Sequence, residues 1–237
     1  MRDSILKVFY PPTCVVCHKI LSHNGEEKLC DTCRRNIRRV TEPRCKRCSK
    51  PISHMEKELC DDCQSRSFSV ERGFALYPYD KYMKKAVINF KYKGELSGGE
   101  YFSGKLLQYY GRWITNISPD VIIPVPIHKK RLRFRGFNQA GYMAEQIGRQ
   151  LGIAVDGDYL VRNGDTKPQK GLDVKARIEN LQKGFGIRGD THKRYQRVLL
   201  VDDIYTTGAT LEACGKVLKK AGTDSVYFLC LCIGRGD

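Results

Sequence analysis

The sequence predicts an α/β fold: a parallel sheet with helices on both faces, preceded by a small cysteine-rich module. Three observations carry that reading. Eight of the 11 cysteines fall within the first 63 residues, as four CxxC pairs. From Phe68 onward, apolar strand-like segments alternate with amphipathic helix-like ones. The apolar segments at 121–125 and 198–201 read as buried strands, which is the signature of a parallel sheet covered on both sides.

Composition narrows the class. The chain has 237 residues, 41% apolar and 29% charged, which is enough to build a core and argues against disorder. No apolar run approaches the roughly 18 residues of a membrane helix. Residues 5–10 are broken by Lys7 and stopped by Pro11 and Pro12, too short for an export signal. A cytoplasmic, reducing location and no membrane span are therefore expected. The charge is strongly basic: 42 Lys and Arg against 26 Asp and Glu give +16. Residues 1–63 hold 13 basic and 9 acidic side chains (+4), leaving 29 against 17 (+12) for the remainder. Such an excess suits a polyanionic partner or plain solubility, and charge alone does not separate the two.

The cysteine pairs are Cys14/Cys17, Cys30/Cys33, Cys45/Cys48 and Cys60/Cys63, and they form an internal repeat. The segment TCVVCHKILSHNGEEKLCDTC is echoed by RCKRCSKPISHMEKELCDDC. Each copy reads CxxC, a gap of 12 or 11 residues, then CxxC, the spacing of a zinc ribbon. A CxxC turn presents two thiolates on one side of a tight loop, and two turns complete a tetrahedral site. Two structural Zn²⁺ ions are expected, one per four cysteines. Sequential pairing within each repeat is favoured, and interleaved pairing stays open. Disulfides are the competing reading, disfavoured by the reducing compartment. His23 and His54 stand at equivalent repeat positions as alternative ligands. Residues 1–66 are read as this double zinc-ribbon-like module and 67–237 as the α/β domain. Cys214, Cys230 and Cys232 read as small core residues.

The elements of the second part follow in order: a strand at 72–79, a helix at 82–92, a second helix near 99–115, and a strand at 121–125. A helix at 139–151 is ended by Gly152, followed by a strand at 198–201, a helix at 209–220 and a last strand at 225–232. The segment GGEYFSGKL at 98–106 contains GxxxxGK, but Leu106 stands where a phosphate loop needs Ser or Thr, and no apolar strand precedes it. It is read as a decoy.

The segment that carries chemistry is RVLLVDDIYTTGAT, residues 197–210. Apolar residues end in Asp202 and Asp203, and a Thr/Gly loop leads into a helix. Ligands of open parallel sheets bind beyond the carboxyl ends of the strands. Two carboxylates there suit sugar hydroxyls and a nearby Mg²⁺, and a loop at a helix N-terminus suits a phosphate. A phosphorylated sugar satisfies both halves.

This segment resembles the phosphoribosyl pyrophosphate (PRPP) loop of type I phosphoribosyltransferases. Two further motifs narrow the resemblance. VPIHKKRLRFRGFNQA at 125–140 and TKPQKGLDVKARIENLQKGF at 166–185 are similar to signatures of the ComF family, and FKYKGE at 90–95 also fits. The resemblance covers essentially the whole chain. It implies a type I phosphoribosyltransferase-like domain, with Asp202 and Asp203 on the ribose and Thr206, Thr207, Gly208, Ala209 and Thr210 around the 5′-phosphate. It implies that 126–131 forms the loop after the first sheet strand, with Arg131, Arg133 and Arg135 as cations for pyrophosphate. Residues 166–180 would be a flap bringing Lys167, Lys170, Lys175 or Arg177 to the leaving group, with Asp202, Asp203 and Arg177 the catalytic set of a working transferase.

The same resemblance implies a role in DNA uptake during natural transformation, on single-stranded DNA and beside a competence helicase of the ComFA type. Lys129, Lys130, Arg131, Arg133 and Arg135 would contact the strand. Phe134, Phe137, Tyr82, Phe90, Tyr92 and Tyr195 are interleaved with basic residues, as base stacking requires, yet most also suit a core. Two alternatives remain: a genuine phosphoribosyltransferase of nucleotide metabolism acting on a nucleobase or amine, and a non-catalytic PRPP sensor that docks a helicase.

Overall fold

The computed structural model describes residues 11–21, 28–53, 56–92, 96–162, 183–188 and 193–234. Its centre is a sheet of four parallel strands in the order β1-β6-β5-β2. These are β1 (Arg72–Pro78), β2 (Val121–Pro124), β5 (Arg197–Tyr205) and β6 (Ser225–Ile233), while β3 (Leu160–Arg162) and β4 (Phe185–Ile187) form a separate antiparallel pair. All three pairings in the large sheet are parallel. Because successive side chains on a strand point to opposite faces, the sheet feeds two cores. Leu199, Val201, Leu229 and Ile122 enter one. Val198, Leu200, Phe228 and Ile123 enter the other.

Helices cover both faces. On the first lie α3 (Lys81–Tyr92), α4 (Leu96–Ile117) and α6 (Gln139–Leu151), through Phe90, Phe102, Leu106, Met143 and Ile147. On the second lies α7 (Ala209–Lys220), through Leu211, Cys214 and Leu218. Local sequence sets their ends. Asp80 Oδ1 accepts from the amides of Tyr82 and Met83 at the start of α3, and Asn138 caps α6, which Gly152 closes in the left-handed conformation. The GxxxxGK segment is interior to α4. A Cβ on its Gly99 would lie 2.6 Å from the Phe90 ring and 2.7 Å from that of Tyr142, so this glycine lets helices pack closely and cradles no phosphate.

The cysteine-rich segment shares both cores. Its short helices are α1 (Asp31–Asn36) and α2 (Asp61–Gln64), each beginning just after a cysteine. Cys14 and Cys33 belong to the first core, with Val15 and Val16, and Cys45, Cys48, Cys60 and Cys63 belong to the second. The module is bonded to the sheet edge: Val40 N–H, between the two sets, donates to Leu76 O, and Gly73 N–H donates to Arg47 O within the second set, both at 2.9 Å. Cys214, Cys230 and Cys232 are fully buried core residues, as read. Among the described residues no helix is long and apolar enough to cross a membrane.

Candidate functional site

Strand β5 runs through the acid pair. Asp202 is opposite Cys230, Ile204 opposite Cys232 and Tyr205 opposite Ile233. The strand thus extends past residue 201, where the apolar run stops, because main-chain pairing with β6 continues regardless of side-chain polarity. The Asp203 amide donates to Asp202 Oδ1 at 2.8 Å. Burial, and then the adjacent charge of Asp203, push the Asp202 carboxyl up to about 8. Lys91, at the end of α3, forms an ion pair with Asp203, with both side chains largely enclosed. Oxygen donors of this kind are the set a hard divalent cation takes, and the Lys91 ammonium shows that the pair already attracts positive charge.

The loop after Tyr205 is short: Thr206, Thr207 and Gly208, with Ala209 and Thr210 opening α7. Gly208 has φ of 76°, and a Cβ there would lie 2.4 Å from Tyr205 Oη. Only glycine fits that turn. The first N–H groups of α7 have no helical acceptor and mark its positive end, which suits a phosphate. Gly234 N–H donates to Tyr205 O at 2.7 Å, tying the loop to the end of β6. Tyr205 stacks on Phe228 with ring centroids 5.3 Å apart. It lies in the same core as the second set of cysteines, so the loop rests on that module.

The basic segment after β2 differs from the expectation of a loop over 126–131 following the first sheet strand. It follows the second strand, and residues 129–135 fold as helix α5 (Lys129–Arg135). His128 Nδ1 accepts from the Lys130 amide at 3.2 Å, and Gly136, with φ of 80°, sends its N–H to Leu132 O. These two caps close a helix of good helix formers, which the charge pattern had concealed. Lys129, Lys130, Arg131 and Arg133 are exposed on it. Arg135 donates to Gln139 Oε1 at 2.9 Å and to Tyr92 Oη at 3.2 Å, and its guanidinium lies 5.0 Å over the Tyr92 ring. That hydrogen bond, the Arg135 charge, and more weakly the charges of Lys91 and Arg131 hold the Tyr92 phenol below its ordinary range. Asp203, Lys91, Tyr92 and Arg135 therefore form one chain of contacts along the end of α3.

Lys167, Lys170, Lys175 and Arg177, with the rest of the expected flap, lie outside the described residues. Its base is described. β3 and β4 pair there, and Asp156 accepts from Tyr195 Oη at 2.9 Å and Lys193 Nζ at 3.0 Å. Lys91 is the residue sequence reasoning missed. It sat inside the FKYKGE match with no role of its own, though its place beside buried Phe90 at a helix end was a usable signal.

The cysteines assemble sequentially. The Sγ atoms of Cys14, Cys17, Cys30 and Cys33 all lie within 4.8 Å of one another, as do those of Cys45, Cys48, Cys60 and Cys63. Cys17 and Cys30 are 3.6 Å apart, and Cys48 and Cys60 3.7 Å. A regular tetrahedron with Zn–S bonds of about 2.3 Å has edges of about 3.8 Å, so both sets fit Zn²⁺. His23 and His54 lie outside the described residues.

Residues 5–64 match the double zinc ribbon domain, and residues 136–237 match the phosphoribosyl transferase domain. Competence protein F of Haemophilus influenzae is 28% identical over 92% of this chain and 95% of its own. Competence protein ComFC of Bacillus subtilis is 28% identical over 83% and 80%. Over most of its length the chain is similar to these competence proteins. A further relative is DNA utilization protein YhgH of Escherichia coli K12, 26% identical over 94% of this chain and 97% of its own. The acid pair, the loop at Gly208 and helix α7 all fall inside the phosphoribosyl transferase match, whereas Lys91 and all of α5 precede it.

Proposed function

We propose that this protein is a member of the ComF family that binds PRPP with Mg²⁺ and handles single-stranded DNA during DNA uptake in natural transformation. The observation that carries the first half is the juxtaposition of Asp202 and Asp203 with the glycine turn at Gly208, over the N-terminus of α7. Asp202 and Asp203 would take the ribose hydroxyls, and Thr206 to Thr210 the 5′-phosphate. Mg²⁺, when bound, would supply positive charge for the pyrophosphate. Before ligand arrives, Lys91 pairs with the Asp203 carboxylate. Arg131 on α5, and Arg177 of the flap, would face the leaving group.

The second half is supported by relatives named for competence and DNA utilization. It is also supported by five cations in the seven residues of α5. A cytoplasmic site of action and a helicase partner of the ComFA type belong to this reading. Titration calorimetry with PRPP and Mg²⁺ tests it: heat of binding is expected for the native chain and none for Asp202→Ala with Asp203→Ala. Salt-dependent binding of labelled oligonucleotides tests the DNA half, and absence of single-strand affinity at ordinary ionic strength would remove it.

A second reading, a transferase acting on a nucleobase or amine, is favoured by one feature. A cleft of about 520 Å³ opens at the carboxyl ends of β1 and β6, between Pro78, Ile233 and Gly234 and the zinc-ribbon residues Pro43, Lys50 and Ile52. A Cβ on Gly234 would lie 3.7 Å from Thr206 Cα, so the cleft adjoins the phosphate loop and has room for an acceptor. Pyrophosphate release from PRPP in a screen of bases, amines and DNA decides it, and a silent screen with PRPP still bound favours the sensor.

A further inference from the structure

We infer that Tyr92 and Phe134 form a base-stacking platform for single-stranded DNA at the rim of the acid pocket. This rests on the DNA-handling reading and names the surface that performs it. Of the six aromatic residues interleaved with basic ones, the structure removes four. Phe90 is buried, Tyr82 and Phe137 pack against the first core, and Tyr195 is bonded to Asp156 and packs against the second. Phe134 is 78% exposed and Tyr92 53% exposed. Their ring centroids are 6.0 Å apart at 63°, and the Arg135 guanidinium covers one side of Tyr92.

The surroundings define the occupant. Helix α5 contributes Lys129, Lys130, Arg131, Arg133 and Arg135, and none of its seven residues is buried. A helix this cationic calls for a polyanion. An anionic membrane would need an apolar stripe along one side. At 3.6 residues per turn, Leu132 and Phe134 project roughly 160° apart around α5, and cations separate them, so no stripe exists. Exposed ring faces beside closely spaced cations are instead the arrangement that holds unpaired bases and their phosphates together. Duplex DNA hides its base faces, so the platform selects single strands. The position adds a connection: Lys91 holds Asp203 while its neighbour Tyr92 holds Arg135, so strand and sugar phosphate are received at the two sides of one helix end.

The test uses the full chain and fluorescence anisotropy with oligo(dT), with a strand of equal length made of abasic sites, with duplex DNA and with oligo(U). The native protein is expected to bind oligo(dT) at least about tenfold more tightly than the abasic strand. Phe134→Ala should weaken oligo(dT) binding about ten- to a hundredfold, leave the abasic strand nearly unchanged, and keep both the melting temperature and the heat of PRPP binding. Arg133→Gln should weaken both strands equally and lower the salt slope by about one. Equal affinity of the native protein for dT and abasic strands would overturn the inference, as would oligo(dT) binding unaffected by Phe134→Ala and Tyr92→Ala. Tighter binding of duplex or of oligo(U) than of oligo(dT) would overturn single-stranded DNA as the occupant. Adsorption to anionic vesicles that is lost in Phe134→Ala, with oligonucleotide binding intact, would assign the surface to membrane. If the native chain binds no strand at all, the DNA-handling reading itself fails, whatever calorimetry shows for PRPP.

Discussion

The Glu212 carboxylate accepts two hydrogen bonds from Ser69, from its backbone N–H at 2.8 Å and from its hydroxyl at 2.9 Å. Glu212 is buried in the first turn of α7, and Ser69 lies between the second cysteine set and β1. The contact fastens the exit of the zinc module to the helix that would receive phosphate. It also engages an acid that would otherwise oppose an anion at that helix end.

Glu212→Ala leaves the Ser69 donors without their acceptor. Hydrogen bonds to a charged partner are worth about 1.5–3 kcal/mol each, so a loss of about 3 kcal/mol is expected in urea unfolding. Ser69→Ala removes one bond and should cost about 1–2 kcal/mol.

Asp202 makes stability depend on pH in an unusual direction for an acid. Its native value is raised from 3.8 to about 8, so the folded state keeps a proton that the unfolded chain releases. This contribution is fully present below about pH 4 and declines until about pH 8. Asp202→Asn, which needs no proton to be neutral, should raise the melting temperature above that of the native chain, increasingly from pH 5 to pH 8. The same variant should lose PRPP and Mg²⁺ binding.

Lys91 favours ionisation of Asp202. In Lys91→Met the carboxyl should titrate higher still. Cation binding needs the ionised acid, so the midpoint of Mg²⁺-dependent PRPP affinity against pH should move upward. Calorimetry across pH 6 to 9 measures it, and an unchanged midpoint would dissociate Lys91 from the site.

Gly208→Ala places a side chain in the left-handed region and against the Tyr205 hydroxyl. The backbone alone costs about 1–2 kcal/mol, and the contact adds to it. A matching loss in urea unfolding is expected, together with PRPP affinity reduced by at least tenfold.

The sulfur geometry predicts two zinc ions per chain by elemental analysis, and one in Cys63→Ser. Structural zinc is worth about 10–16 kcal/mol in isolated modules, against a net stability of about 5–15 kcal/mol for a whole domain. Because each cysteine set lies in a core shared with the sheet, removing either ion should abolish the cooperative unfolding of the whole chain. A sheet that still melts cooperatively after chelation would contradict this.

How legible this was in the sequence depends on range. The four strands of the large sheet, α6 and α7 follow from local apolar pattern, and α6 and α7 fall at the expected residues, whereas the short β3 and β4 were not anticipated. The acids and the glycine turn were readable because they are contiguous on one strand and its loop. Helix α5 was misjudged as loop because five cations masked capping signals at His128 and Gly136. Lys91 is 112 positions from Asp203, and only the packing of α3 against the sheet brings them together. The placement of the two cysteine sets in opposite cores was likewise unreadable, since a CxxC turn fixes its metal and carries no information about which face it will cover.

The order β1-β6-β5-β2 has a consequence for synthesis on the ribosome. Of the strands in this sheet, the one that separates β1 from β5 is translated after the others, so β1 waits for its neighbour until β2, β5 and α7 have emerged. The cysteine turns leave the exit tunnel before any strand of the sheet and could load metal at once. Both would then hold their ions while the surface they will cover is still being made. Metal capture would thus come early and locally in this protein, and closure of the hydrophobic interior late and all together.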